Sequence, residues 1–170
     1  MPRKTPQKGL VPRETTLAIR DTCLCLHVQR AARSLARLFD EAFRGVGLTH
    51  GQFSLLNALN RPQPPGMGDV ARVLAMDPTT LTANVKPLAR AGLVEVRTDD
   101  ADRRARRLAL TPAGQEALAR AVPIWKRTHA ALERRMADSD RLRVELRELL
   151  EPAEGVHPSP SEPPQAGRSR

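Results

Sequence analysis

The chain has 170 residues, enough for one domain with a tail and for a real hydrophobic core. Its 28 Lys and Arg against 19 Asp and Glu give a formal charge of +9, a balance suited to a polyanionic partner. Three Phe, one Trp and no Tyr leave it without the aromatic supply on which RNA-recognition sheets and single-strand binders stack bases. Two cysteines, Cys23 and Cys25, cannot build a disulfide framework. The basic opening MPRKTPQKGL leads into no apolar leader, and no apolar run reaches the length of a membrane span. These features predict a cytoplasmic protein with reduced thiols and no membrane partner.

Residues 1–16 are basic and Pro-containing and are expected to form a flexible arm. Helical periodicity then runs from Leu17 to Val46. Leu24, Val28, Ala31, Leu35, Leu38 and Ala42 follow four-three spacing and share one face, while Arg30, Arg33, Arg37 and Arg44 lie off it. So long a seam exceeds what a small core asks of one helix, and it predicts a partner-helix interface. Gly45 and Gly47 end this segment. Thr49, with Gln52 three residues on, predicts a capping box opening a second helix with Phe53, Leu55, Leu56 and Leu59 inward. NRPQPPGMG reads as a loop.

A short helix is expected over Gly68–Ala75, with Val70, Ala71 and Leu74 inward. Asp77 caps the next, with Pro78 in its first turn and Leu81, Val85 and Leu88 inward, ending at Gly92. LVEVRT and RRLALT, on either side of DDADRRA, predict a hairpin with a charged tip. Thr111-Pro112 starts a helix that passes Pro123, expected to kink it, and continues through Trp125 and Leu132. A last helix over Asp140–Leu150 presents Leu142, Leu146, Leu149 and Leu150. Residues 152–170 are rich in Pro, Ser, Gly and charge and cannot bury enough to fold.

The order short helix, turn, helix, hairpin is that of a winged helix-turn-helix. The outward face of the second helix carries Thr79, Thr80, Thr82, Ala83, Asn84 and Lys86, short polar side chains on the half that enters a major groove. Asn pairs with adenine in two places, and Thr bonds bases or phosphates or meets a thymine methyl. Pro87 removes one backbone bond after that turn. In the hairpin, Arg103, Arg104, Arg106 and Arg107 crowd beside Asp99, Asp100 and Asp102. Such a wing lays Arg along phosphates or into a narrow minor groove. The acids are expected to hold one arginine, with Arg104 the supported residue and Arg103 the contact.

The strings LTHGQFSLLNAL, MDPTTLTANVKPLARAGLVEV and DDADRRARRLALTPAG resemble the MarR-type transcriptional regulators over roughly Leu17–Leu150. The last, with Asp102-Arg103-Arg104 before Leu110-Thr111 and Gly114, is the most specific. The resemblance implies a mostly α fold: an N-terminal dimerisation helix (17–48), a winged helix-turn-helix domain (49–111) and C-terminal dimerisation helices (112–151). It implies a homodimer on a palindromic double-stranded DNA operator, repressing genes and released by a small aromatic or anionic effector or by cysteine oxidation. The groove-reading residues correspond to Thr79, Thr80, Thr82, Asn84 and Lys86, and the wing arginines to Arg103 and Arg104.

Cys25 resembles the reactive cysteine of the family's organic-hydroperoxide sensors, but those hold their thiolate with tyrosines, which this chain lacks. At the edge of the apolar stripe, Cys25 is expected to pack as a small hydrophobe, with redox sensing by Cys25 and Cys23 as the alternative. Two positions on a helix differ by about 200°, which would turn the two thiols apart. Cys23 and His27 share a side, but two ligands do not make a metal site. No phosphate-binding loop, metal-ligand cluster or paired nucleophile and base points to an enzyme or a cofactor. The other reading of the basic charge is a non-specific nucleoid- or RNA-binding protein.

Overall fold

The computed structural model describes residues 10–99, 102 and 104–150. Its elements in chain order are α1 (Arg13–Thr22), α2 (Leu24–Phe43), a 3-10 turn (Arg44–Val46), α3 (His50–Leu59), α4 (Met67–Val73), α5 (Pro78–Arg90), β1 (Val94–Thr98), β2 (Arg106–Leu110), α6 (Pro112–Glu133) and α7 (Ser139–Glu148). The fold is mostly helical with one two-stranded antiparallel sheet, as expected. The helix expected from Leu17 to Val46 is two helices and a turn. Cys23 interrupts it with extended backbone (φ −72°, ψ 106°), and its Sγ takes the Leu26 amide at 3.5 Å as an N-cap. Helical spacing on both sides of the break concealed it. α1 opens at Arg13, inside the stretch expected to be an arm. The expected tail lies outside the described residues.

Local chemistry fixes the helix starts. Thr49 Oγ1 accepts from the Gln52 amide at 3.2 Å, and Gln52 Oε1 accepts from the Thr49 amide at 2.9 Å, the capping box read from sequence. The Asp77 carboxylate accepts from the Thr80 amide at 2.9 Å, with Pro78 in the first helical position. Thr111 opens α6: its hydroxyl accepts from the Gly114 amide at 3.0 Å and donates to the Gly92 carbonyl at 2.6 Å. Gly114 has no alternative, because a Cβ there would stand 2.0 Å from the Leu93 carbonyl oxygen. α6 runs through Pro123 as one helix, where the proline removes only the donor to the Ala119 carbonyl.

The chain divides into two compact units between Thr128 and His129, within α6. In the first, Phe43, Leu55, Leu56, Val70, Leu81, Leu88 and Leu108 form the fully buried centre. The aromatics are spent here: Phe43 lies 4.8 Å from Phe53 and 5.8 Å from Phe39 between ring centres, and Phe53 stacks on Trp125 at 6.5 Å. α2 turns Phe39 and Phe43 into this core, yet leaves Leu24, Val28 and Leu38 exposed, Leu24 by 67%. In the second unit, Arg143 of α7 pairs with Glu133 at the end of α6, and Asp138 caps α7 through the Arg141 amide at 2.8 Å. Leu142, Val144, Leu146, Leu149 and Leu150 are exposed.

Candidate nucleic-acid interface

α4 and α5 are joined by a tight turn in which Ala75 adopts φ +50° and the Met76 amide bonds the Ala71 carbonyl at 2.9 Å. Val70 and Ala71 of α4, with Leu81, Val85 and Leu88 of α5, lock the pair onto the core. That fixes the opposite face of α5 outward, and Thr79, Thr80, Thr82, Ala83, Asn84 and Lys86 are all exposed. Their hydrogen bonding separates them. Thr80 donates its hydroxyl to Asp77, holding that carboxyl below its ordinary pKa, so Thr80 serves the cap. Thr82 donates to the Pro78 carbonyl at 2.8 Å, and its hydroxyl oxygen can still accept. Asn84 makes one weak bond, to Met76 Sδ at 3.6 Å. α5 continues past Pro87 to Arg90, so the proline lies beyond these side chains.

The hairpin packs beside α5. Its register pairs Val94 with Leu110, Val96 with Leu108 and Arg97 with Arg107. Lys86 and Arg106 border a groove of about 240 Å³ between α5 and the strands, floored by Met67, Val85 and Val96. At the tip, the Arg104 amide bonds Asp102 Oδ1 at 2.9 Å. The Arg104 guanidinium has no partner among the described residues and is exposed. Arg103 lies outside the described residues.

Of the acids expected to support Arg104, Asp99 pairs with Arg107, and Asp100 lies outside the described residues. The Arg107 guanidinium also reaches the Pro64 carbonyl at 2.9 Å. The loop before α4 also joins the sheet: Gly66 bridges to Arg107, and the Leu108 amide bonds the Pro65 carbonyl at 2.9 Å. Sequence reading missed this strand-like segment because two prolines masked it.

Cys25 is exposed, and its Sγ accepts from Gln29 at 3.3 Å, so the packing expected of it is absent from the single chain. Cys23 lies outside any helix, so helical rotation does not govern the two thiols. His27 Nε2 faces the Asp21 carbonyl at 3.1 Å, and no group of metal-ligating side chains occurs among the described residues. A cavity of about 430 Å³ opens between α3, α4 and α6, with Phe53, Val73, Leu74 and Trp125 as its apolar wall and Ser54 and Asn57 as polar groups. No described helix is long and apolar enough to cross a membrane.

Residues 46–105, from the turn after α2 to the hairpin, match the model of the MarR family. The M. tuberculosis transcriptional regulator MosR, solved in complex with DNA, is 36% identical; the match covers 78% of this chain and 96% of that one, with a TM-score of 0.72. The chain belongs to the MarR family. As a MarR protein it has the family's winged helix-turn-helix, with α4 and α5 as the helix pair and β1–β2 as the wing. The transcriptional activatory protein BadR of Rhodopseudomonas palustris is 33% identical over 95 residues, 54% of this chain and 54% of that protein, so the chain matches about half the length of this curated relative. BpsR of Bordetella bronchiseptica, whose DNA binding is regulated by 6-hydroxynicotinic acid, is 26% identical over 72% of this chain and 94% of that one, with a TM-score of 0.62.

Proposed function

We propose that this MarR-family chain is a homodimeric, sequence-specific repressor that binds a palindromic double-stranded DNA operator in the cytoplasm, at the nucleoid. One observation carries the reading: the exposed polar face of α5, with Thr79, Thr82, Asn84 and Lys86, stands beside a wing whose Arg104 guanidinium is unpaired among the described residues. The helix reads base edges and the wing supplies phosphate or minor-groove contact, with Arg103 as its second cation. The exposed seam of α2 and the exposed leucines of α7 supply the dimer surface, since each fully buried Leu or Val contributes about 1.5–3 kcal/mol. Selection of bound sequences from a pool of random duplexes tests this. A regulator yields paired half-sites preferred over bulk DNA by roughly 10³ or more. A nucleoid-coating or RNA-binding protein yields no such preference. A reporter fused to the selected site reads the sign of regulation, which matters because BadR is described as an activator.

The effector belongs in the cavity between α3, α4 and α6. Its lining has no Lys, Arg or His, so it favours an aromatic body over a bare anion, whose charge would be desolvated without a partner. BpsR's regulator, 6-hydroxynicotinic acid, shares the aromatic ring but is a carboxylate at neutral pH, so the comparison of benzamide with benzoate is what separates the two chemistries. Release of a selected duplex by benzamide at lower concentration than by benzoate, lost in Asn57→Leu, is the expected result.

Oxidation is the second reading of release, favoured by the exposed Cys25 and by the helix break at Cys23. Peroxide release that disappears in Cys25→Ser, with DNA binding retained, supports it. Equal response of both proteins rejects it.

A further inference from the structure

We propose that Arg107 is a positioning residue: it sets the wing against the helix-turn-helix and so places Arg104, without itself meeting DNA. The inference rests on the DNA-binding reading above. Its basis is a continuous hydrogen-bonded path. The Pro64 carbonyl, two residues before the N-cap of α4, accepts from Arg107 Nη1 at 2.9 Å. The same guanidinium pairs with one oxygen of Asp99. The other oxygen of Asp99 accepts from the Asp102 amide at 3.4 Å, and Asp102 Oδ1 accepts from the Arg104 amide at 2.9 Å. Four links thus run from the segment that opens the helix-turn-helix to the backbone of the wing-tip arginine.

The path is suited to fixing geometry. The Asp99 side chain is only 12% exposed, so its pair with Arg107 is less screened than a surface ion pair. A planar guanidinium donates in two fixed directions at once, to a carboxylate and to a carbonyl 43 positions back in the chain. A lysine ammonium is a single point charge and lacks that rigid fork. A two-stranded hairpin is marginal alone, and the Pro65–Leu108 bond and the Gly66–Arg107 bridge give its second strand a second partner. Arg107 locks that partner in place. Arg97, directly opposite Arg107, is held away by Glu95 at 2.8 Å and leaves the path uncontested.

The test uses the full chain, a duplex selected from a random pool and sheared mixed-sequence DNA, with affinity measured against salt for R104A, R107A, R107K and the double variant R104A/R107A. Each alanine variant should flatten the log–log salt slope by about 0.9 per lost phosphate contact. The double variant should match R104A alone, because Arg107 acts through Arg104. R107K should fall closer to R107A than to the parent. Additive losses, with R107K equal to the parent, would show that Arg107 is itself a phosphate contact and overturn the proposal. Hydrogen exchange without DNA gives a second reading. R107A should speed exchange of the Leu108 amide and leave the α5 amides unchanged, and unchanged Leu108 protection would also overturn it. If R104A alters no affinity while R107A frees Leu108, the clamp stands and the wing's DNA contact is what fails.

Discussion

Arg97 and Arg107 face each other across the ladder of the wing. Like charges directly opposite destabilise a sheet pair. Here each is drawn to an acid two residues from Arg97: Glu95 takes Arg97 and Asp99 takes Arg107. The run Glu95, Arg97, Asp99 is thus a charge alternation along β1 and the residue that follows it. Glu95→Lys would add a third cation to this group. Amide exchange in β1 and β2 should rise while α5 exchanges as before. Equal rates in the hairpin would show that solvent screens the pair unaided.

The seam of α2 leaves Leu24, Val28 and Leu38 exposed. Leu35→Glu places a charge in its middle, where dimer burial would cost several kcal/mol. Because Leu35 is only half-buried in the single chain, the fold should survive. Sedimentation should therefore show a folded monomer. A stable dimer at the parent's affinity would move the interface elsewhere.

Thr82 and Asn84 point outward from the second turn of α5, and neither holds the helix start as Thr80 does. Thr82→Ala and Asn84→Ala should each reduce discrimination at one or two operator positions by roughly 1–3 kcal/mol. Binding to mixed-sequence DNA should persist. Equal losses on both DNAs would make these residues phosphate anchors instead of readers.

Acid should loosen the start of α5 first. The Thr80 hydroxyl, with the Thr80 amide, holds the Asp77 carboxyl below its ordinary pKa. A lowered folded-state value means the cap's stabilisation is fully present above the ordinary carboxylate range and is lost as pH falls through the lowered value. Below pH ~4 the amides of Thr80 and Leu81 should exchange faster relative to the rest of α5. Asp77→Asn, which caps without titrating, should abolish that pH dependence.

Gly114→Ala drives a methyl into the Leu93 carbonyl. Backbone must shift, and a loss of roughly 1–3 kcal/mol is expected in denaturant unfolding. Ala113→Gly, one residue earlier on the exposed side, should lose less. Similar losses would mean that helix propensity, and not the close approach, sets the cost.

Elements whose cause is local were legible in the sequence. The Thr49–Gln52 box, the Asp77-Pro78 start and the inward Leu81, Val85 and Leu88 each depend on neighbours within a turn or two. The break at Cys23 was not, because a thiol is a poor cap and the apolar spacing continues across it. The partner of Arg107 was hidden for another reason. Pro64 and Pro65 cannot donate to a ladder and so read as loop, but their carbonyls still accept. Arg104 and Arg107 look alike in the run RRARR. The Asp99 carboxylate and the Pro64 carbonyl take Arg107, while the Arg104 guanidinium has no partner among the described residues.

Trp125 is the chain's single tryptophan, and there is no tyrosine. It stacks on Phe53 and forms part of the wall of the 430 Å³ cavity. Near-ultraviolet light above the phenylalanine band therefore excites one place in the unmodified molecule. Its emission reports the polarity of that wall with no competing fluorophore. A molecule entering the cavity quenches or shifts that signal directly, while events at the wing reach it only through the helices that separate the two. The protein comes with its own optical gauge at the site where an effector is expected to lodge.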